Sequence, residues 1–277
     1  MEEVKLLDHG YCRFIESYGS DQAIVEAART STDKGFLGWE PGPCPACEGT
    51  GRSATCTLCG GDWDNGRMSC MGCTRGRAGA QDCKVCEGKG KHKGDKNLLA
   101  YLYNNKHATP FEFAGMVVEI QAPIFVFREW HRHRTQAYNE MSARYTPLPD
   151  LNYIPTVERL LINSKTNKQA GTVTDAEVLD ERGAEAYRTN LRAMYESDEL
   201  FYQQSLKMGV PKELARIHLP VGRYSRMRAV TSLRNWMAFM TLRSAPAAQF
   251  EIRTYSQDGI AAFLRQRFPR SMELFEQ

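Results

Sequence analysis

No apolar stretch in this sequence is long enough to cross a bilayer. Its longest uncharged apolar run is Ala122–Phe127, against the ~20 residues a spanning helix needs. The N-terminal residues MEEVKLLDHG are acidic where an export leader would be basic and then apolar, so the chain is expected in the cytoplasm and off any membrane. Charge of one sign is also missing: 36 Lys plus Arg stand against 33 Asp plus Glu, a net of +3. That removes a global electrostatic case for nucleic-acid or membrane binding and leaves local charge to carry any such argument. Repeats are absent outside one cysteine-rich stretch, and no nucleotide-loop signature stands in a strand–turn–helix context. The pairs Gly49/Gly51 and Gly88/Gly90 directly follow CxxC pairs and belong to metal-loop turns. Disorder as the main state is excluded by 42% hydrophobic residues in 277, a length sufficient to bury a core.

Cysteine is scarce everywhere but one place. Cys12 stands alone, while Cys44/Cys47, Cys56/Cys59, Cys70/Cys73 and Cys83/Cys86 form four CxxC pairs within 43 residues. Without an export signal, such pairs read as metal ligands before disulfides, and eight thiolates supply two tetrahedral zinc sites. The surrounding stretch from Gly35 to about Gly94 is rich in Gly and poor in aliphatics, so it needs metal to hold a shape. We read residues 36–95 as an insertion between 1–35 and 96–277.

Outside it, the pattern is mixed α and β with more helix than strand. Ala23, Ile24, Ala27 and Ala28 are helically spaced after Ser20 and Asp21, which can cap. Leu98, Leu99, Leu102 and Tyr103 resume that spacing, and Phe113–Gln121 reads as a strand. A helix is expected to open after Pro123 and run through IFVFREWHRHR. The segment 146–171 reads as an exposed loop and Asp175–Met208 as a long helix, bent at Gly183. A short helix at Pro211–Ile217, a strand near Val221–Ala229, and helices at 231–243 and 246–268 complete the expectation.

The densest chemistry lies in Arg132–Tyr145, RHRTQAYNEMSARY. Guanidinium and imidazole groups suit phosphate, and the Asn, Glu and hydroxyls offer paired donors and acceptors for a pyrimidine edge. A solvated, salt-bridged face is the plain alternative. Ser142 has no His and Asp partners in a triad-like context, which favours a substrate-binding hydroxyl over a nucleophile. Trp130 and Trp236 read as core. Arg223, Arg226 and Arg228 read equally as a solvated face or the edge of a ligand site.

The pattern RHRTxxxNExSxRY resembles the signature of flavin-dependent thymidylate synthases. The resemblance continues through AARTS at 27–31, HATPFE at 107–112, APIFVFREW at 122–130, RIHLP at 216–220 and SLRNWMAFMTLR at 232–243. It covers essentially the whole chain except the cysteine insertion and the loop after Asp150.

What this resemblance implies is an α/β (α+β) fold, a central twisted sheet with flanking helices, in a homotetramer with shared active sites. It further implies bound FAD, dUMP as the acceptor, methylenetetrahydrofolate as the carbon donor and NADPH as the reductant. No cysteine attacks the uracil in that chemistry, and Cys12 lacks an activating context. Carried over residue by residue, His107, Thr109, Glu112, Arg132, His133, Arg134, Glu140, Ser232 and Arg234 are expected to hold the cofactor. Glu129, Glu140, Ser142, Arg144, Arg216 and Arg243 are expected to hold the nucleotide, with Arg216 and Arg243 reaching a neighbouring subunit's site. Arg243, Arg132 and Ser142 are the expected catalytic groups. Several positions depart from the family's usual residues: Glu129 for Gln, Ala137 for Ser, Ser232 for Asn, Ala238 for His or Asn, and Phe113 for His. These remove hydrogen-bonding capacity, at about 1 kcal/mol for each buried partner left unmet.

CPACEGTG at 44–51 and CKVCEGKG at 83–90 fit CxxCxGxG, which resembles the zinc-binding region of DnaJ-type co-chaperones. That implies one zinc shared by the outer pairs and one by the inner pairs, in a structural knuckle or one that docks a protein or nucleic-acid partner. Two rival readings stand beside the synthase. One is a flavin-dependent hydroxymethylase, or a methylase of another deoxypyrimidine nucleotide. The other is a zinc-dependent nucleic-acid or chaperone-like module on an inactive scaffold.

Overall fold

Alternation of buried and exposed side chains builds the central sheet of this protein. The structure, a computed structural model, describes residues 2–56, 80–164, 167–172 and 179–277. In chain order the elements begin with β1 (Glu3–Leu6), β2 (Gly10–Tyr18) and α1 (Asp21–Arg29). The cysteine-rich stretch carries β3 (Gly42–Pro43), β4 (Arg52–Cys56), β5 (Ala80–Asp82) and β6 (Lys91–His92). There follow α2 (Asp95–Asn104), β7 (Gly115–Pro123), α3 (Ile124–Trp130), β8 (Ala137–Glu140) and α4 (Val157–Leu161). Then come α5 (Glu181–Lys207), α6 (Lys212–Ala215), β9 (Tyr224–Ser232) and α7 (Leu233–Arg243). The chain closes with α8 (Phe250–Thr254), a π-turn at Tyr255–Ile260, α9 (Ala261–Arg267) and α10 (Pro269–Phe275).

The chain divides into two compact units, Met1–Tyr18 with Gly115–Arg267, and Gly19–Ala114 with Phe268–Gln277. The first holds a five-stranded antiparallel sheet in the order β1-β2-β7-β9-β8. On its central strand Met116, Val118 and Ile120 are fully buried at every second position, the period a sheet face dictates. Trp130, Trp236 and Phe239 cover that face, all with zero exposure. The Trp236 indole N–H donates to the Met116 carbonyl at 3.1 Å and that of Trp130 to Gln136 Oε1 at 3.0 Å. Both tryptophans are core, as their aliphatic neighbours indicated. In the second unit the Ser20 hydroxyl caps α1 by accepting from the Ala23 N–H at 3.1 Å. Asp21 anchors α10, accepting from the Arg270 and Ser271 backbone N–H groups.

Four local expectations need correction. The helix after Pro123 stops at Trp130, because the chain must turn back to pair β8 with β9. The Tyr138 hydroxyl holds that turn, 2.6 Å from the His133 carbonyl oxygen and 3.1 Å from that of Trp130. Segment 146–171 contains α4, started by the Thr156 side chain accepting from the Arg159 N–H. The span 246–268 is interrupted by the π-turn, where Gly259 packs on Cys12: a Cβ there would lie 2.9 Å from the Cys12 Cβ. Gly183 does not bend α5. It sits in the first turn, where its N–H donates to the Asp180 cap at 2.7 Å. The start expected for that helix, at Asp175, falls outside the described residues.

Candidate active site

The arginine and histidine motif occupies the turn between α3 and β8, and the end of α7 brings Arg243 to it. Arg243 Nε donates to His133 Nε2 at 2.8 Å, Nη1 to Glu129 Oε2 at 2.6 Å and Nη2 to the Glu129 carbonyl at 2.9 Å. Two elements far apart in sequence thus converge on one guanidinium. Because His133 Nε2 accepts, its ring is neutral with the proton on Nδ1. Burial disfavours its charged form and the Arg243 cation does so further, outweighing the Glu129 carboxylate and pulling its pKa down to about 4. Three of the five guanidinium N–H groups of Arg243 are committed, which fixes its plane and leaves two for a ligand.

Arg132 and Arg134 flank His133 and are exposed, two cations with no ion pair among the described residues. Ser232, at the β9–α7 junction, has a hydroxyl without a hydrogen-bond partner among the described residues. Arg234, the second residue of α7, is exposed. Ser142 Oγ accepts from the Arg144 N–H at 3.3 Å, and Arg144 Nε donates to Glu213 at 3.2 Å on α6. Arg216 follows α6 and is exposed.

The fourth residue of β8, Glu140, lines a second cavity of about 270 Å³ with Asn139, Arg226, Arg228 and Glu119. Sequence reasoning missed β8 and Glu119. Glu119 accepts from Tyr11 at 2.9 Å, Arg13 at 2.8 Å and Arg228 at 3.5 Å, a convergence only strand pairing reveals. Of the alternating arginines, Arg226 and Arg228 face solvent, whereas Arg223 is 1% exposed and paired with Asp150 and Glu199. Cys12 is fully buried, and burial alone pushes its thiol far above the usual range. That rules it out as a ready nucleophile.

In the other unit, His107 packs on Tyr101 with ring centroids 5.5 Å apart and planes tilted by 55°, and Thr109 and Glu112 bound a single 3₁₀ turn. All three are exposed. The outer cysteine pairs form a knuckle there. Cys44, Cys47, Cys83 and Cys86 are all buried, with their four sulfurs within 4.8 Å of one another. Sγ–Sγ separations are 4.0 Å for Cys44–Cys83 and 3.8 Å for Cys47–Cys86. A tetrahedral zinc with Zn–S of about 2.3 Å places sulfurs about 3.8 Å apart, so these residues fit the metal. The Gly51 and Gly90 N–H groups point at the Cys47 and Cys86 sulfurs at 3.2 and 3.3 Å. Both glycines have positive φ, and a Cβ on either would fall within 2.4 Å of the opposite loop's carbonyl oxygen. Burial opposes ionisation of Cys47, but the Gly51 N–H and the neighbouring sulfurs outweigh it and bring its pKa to about 7. Burial raises Cys44 to about 11. Of the inner pairs, Cys59, Cys70, Cys73 and the side chain of Cys56 lie outside the described residues.

These observations agree with what known proteins show. The family described as "Thymidylate synthase complementing protein" matches residues 61–270. A flavin-dependent thymidylate synthase of Thermosipho africanus is 31% identical over 273 residues, covering 99% of this chain and 93% of that protein. Among solved structures, the UMP/dUMP methylase PolB of Streptomyces cacaoi bound with 5-Br dUMP superposes with a TM-score of 0.66 at 26% identity, covering 99% of this chain and 97% of that one. The same methylase bound with 5-Br UMP gives a TM-score of 0.65 at 26% identity, covering 98% and 96%. The mixed α/β fold with its antiparallel sheet, the arginine and histidine turn and these matches together make the chain a member of the flavin-dependent thymidylate synthase family.

Proposed function

We propose that this chain carries out the FAD-dependent reductive methylation of dUMP to dTMP, with methylenetetrahydrofolate as carbon donor and NADPH as reductant, and with no cysteine nucleophile. The observation that carries it is the Arg243 guanidinium held by His133 and Glu129 with two N–H groups to spare. In this reading those two donors meet the pyrimidine carbonyl where negative charge develops, the preorganised arrangement that stabilises such charge most. His133 stays neutral, so it orients Arg243 without adding a competing cation.

The residues fit a flavin: among the described residues Arg132 and Arg134 are cations without an ion pair, and Ser232 offers an unmet hydroxyl. When bound, FAD supplies hydride to the pyrimidine. Arg132, His133, Arg134, Glu140, Ser232 and Arg234 would hold it, and His107, Thr109 and Glu112 are the further cofactor contacts this reading expects. Glu129, Glu140, Ser142, Arg144 and Arg216 would hold dUMP beside Arg243. Residues 1–35 and 96–277 form the catalytic body in this account, assembled as a homotetramer, and 36–95 is a zinc-bearing insertion. One zinc would lie among Cys44, Cys47, Cys83 and Cys86 and a second among the inner pairs.

Among the described residues no helix is long and apolar enough to cross a membrane. The test is product mass. Incubation with dUMP, methylenetetrahydrofolate and NADPH yields dTMP from a yellow protein, and a hydroxymethylated product or none would reject the reading. A second reading, methylation of UMP, is favoured by the solved methylase that takes both 5-Br UMP and 5-Br dUMP. Competing UMP against dUMP separates the two.

A further inference from the structure

A cavity in the second unit, about 700 Å³ in volume, has the size of a cofactor site, typically roughly 300–1,000 Å³. One side is the end of α1 with Arg29 and Lys34, and another is apolar, with Leu98 and Leu102 of α2 leading to His107 and Pro110. The remaining wall comes from the cysteine-rich stretch, running from Val85 and Cys86 to Lys93. Its charge is one-sided. Arg29 is neutralised by the fully buried Asp95. Lys34 and Lys89 share the one carboxylate of Glu87 at 3.6 and 3.0 Å, and Lys91 and Lys93 have no carboxylate partner among the described residues. His92 Nδ1 accepts from the Gly94 N–H at 3.2 Å, which turns its Nε2 into a donor when the ring is neutral. Cations and an N–H donor beside an apolar floor match a phosphate joined to a flat ring system.

Among the described residues the basic wall is held chiefly by the knuckle. Cys86 belongs both to the wall and to the sulfur cluster. The Gly90 N–H points at Cys86 Sγ, and the Gly90 carbonyl accepts from the Cys44 N–H at 2.9 Å. β6, which carries Lys91 and His92, pairs with β3 over just two residues. Among the described residues the buried cluster of this stretch consists of the four cysteines with Val85 packed against them.

We propose that the metal-organised segment Cys83–Lys93 completes a binding cavity for the diphosphate of a dinucleotide, so that occupancy of the four-cysteine site sets how tightly the chain holds that ligand. This rests on the flavoenzyme reading for its two candidate sources, FAD and NADPH.

The test compares the zinc-loaded wild type, the chelator-stripped wild type and a zinc-loaded K89Q/K91Q/K93Q variant. Flavin fluorescence gives the Kd for FAD, and calorimetry gives those for NADP⁺ and inorganic pyrophosphate. The variant, with its zinc content retained, is expected to bind pyrophosphate and one dinucleotide at least about tenfold more weakly, the loss of a charge-assisted hydrogen bond or more. Stripping the wild type is expected to give a similar loss and stripping the variant little more. Weakening confined to FAD assigns the flavin as occupant, and weakening confined to NADP⁺ assigns the reductant. Unchanged affinity of the zinc-loaded variant for all three probes overturns the proposal, as does unchanged affinity after stripping. A wild type that binds no flavin would sink the function proposed above, whereas the pyrophosphate arm would still decide the cavity.

Discussion

The antiparallel sheet and the cysteine knuckle solve the same problem with different materials. Around β7 the chain buries Met116, Val118, Ile120, Trp130 and Trp236 without exposure, and removal of that apolar area from water holds it. Around Cys44 and Cys83 the buried cluster among the described residues is four cysteines with one valine beside them, and the short pairs β3–β6 and β4–β5 supply the pairing. A core of that size stands only when a metal ties the thiolates together. The sheet therefore stands on apolar burial alone, while the knuckle, in the zinc-bearing reading proposed above, would depend on metal supply.

Breaking the knuckle should produce the largest effect and should spare the sheet. Cys44→Ser with Cys83→Ser is expected to remove one zinc per chain, an ion whose binding in small domains is worth about 10–16 kcal/mol. Elemental analysis would read the loss, and limited proteolysis should show new cleavage between Gly42 and His92 with the sheet unit intact. Asp95 tests the helical part of the same unit. It is fully buried, pairs with Arg29 and accepts the Leu37 N–H at 2.7 Å, so Asp95→Ala is expected to cost about 3–5 kcal/mol in urea unfolding.

Arg243→Ala probes the scaffold's chemistry. Loss of a preorganised donor predicts a fall in turnover of about 10²–10³-fold, with near-native circular dichroism separating this from unfolding. The smallest effect concerns pH. His133 stays neutral in the folded chain down to about 4, whereas an unfolded chain protonates it near about 6.5. The unfolded state binds the proton first, so its contribution to stability is complete above about 6.5 and declines as pH falls toward about 4. Thermal melts across that window should show the decline, and His133→Gln should flatten it.

The sequence made parts of both regions legible for the same reason: short-range rules. Ser20 before a helical pattern marked α1, a Val- and Ile-rich run marked β7, and CxxCxGxG spacing marked the outer knuckle. The arginine and histidine motif was readable as chemistry, yet its setting was not. β8 is four residues whose pairing is supplied by β9, and the hairpin β1–β2 depends on its register with β7, both nonlocal facts. For the same reason Glu129, expected to hold the nucleotide and read as a departure from a usual Gln, turns out to bind the Arg243 guanidinium with both its carboxylate and its carbonyl. The alternation of Arg223, Arg226 and Arg228 gave no means to separate the buried ion pair of the first from the exposed pair that follows.

One measurement bears most directly on the site at His133 and Arg243: mass analysis of the pyrimidine nucleotide after incubating dUMP, methylenetetrahydrofolate and NADPH with the FAD-loaded protein and with its Cys12→Ala and Arg243→Ala variants. The wild type and Cys12→Ala are expected to yield dTMP, and Arg243→Ala a collapse of product. Product that vanishes with Cys12→Ala in a folded sample, or persists undiminished with Arg243→Ala, would contradict the proposed function.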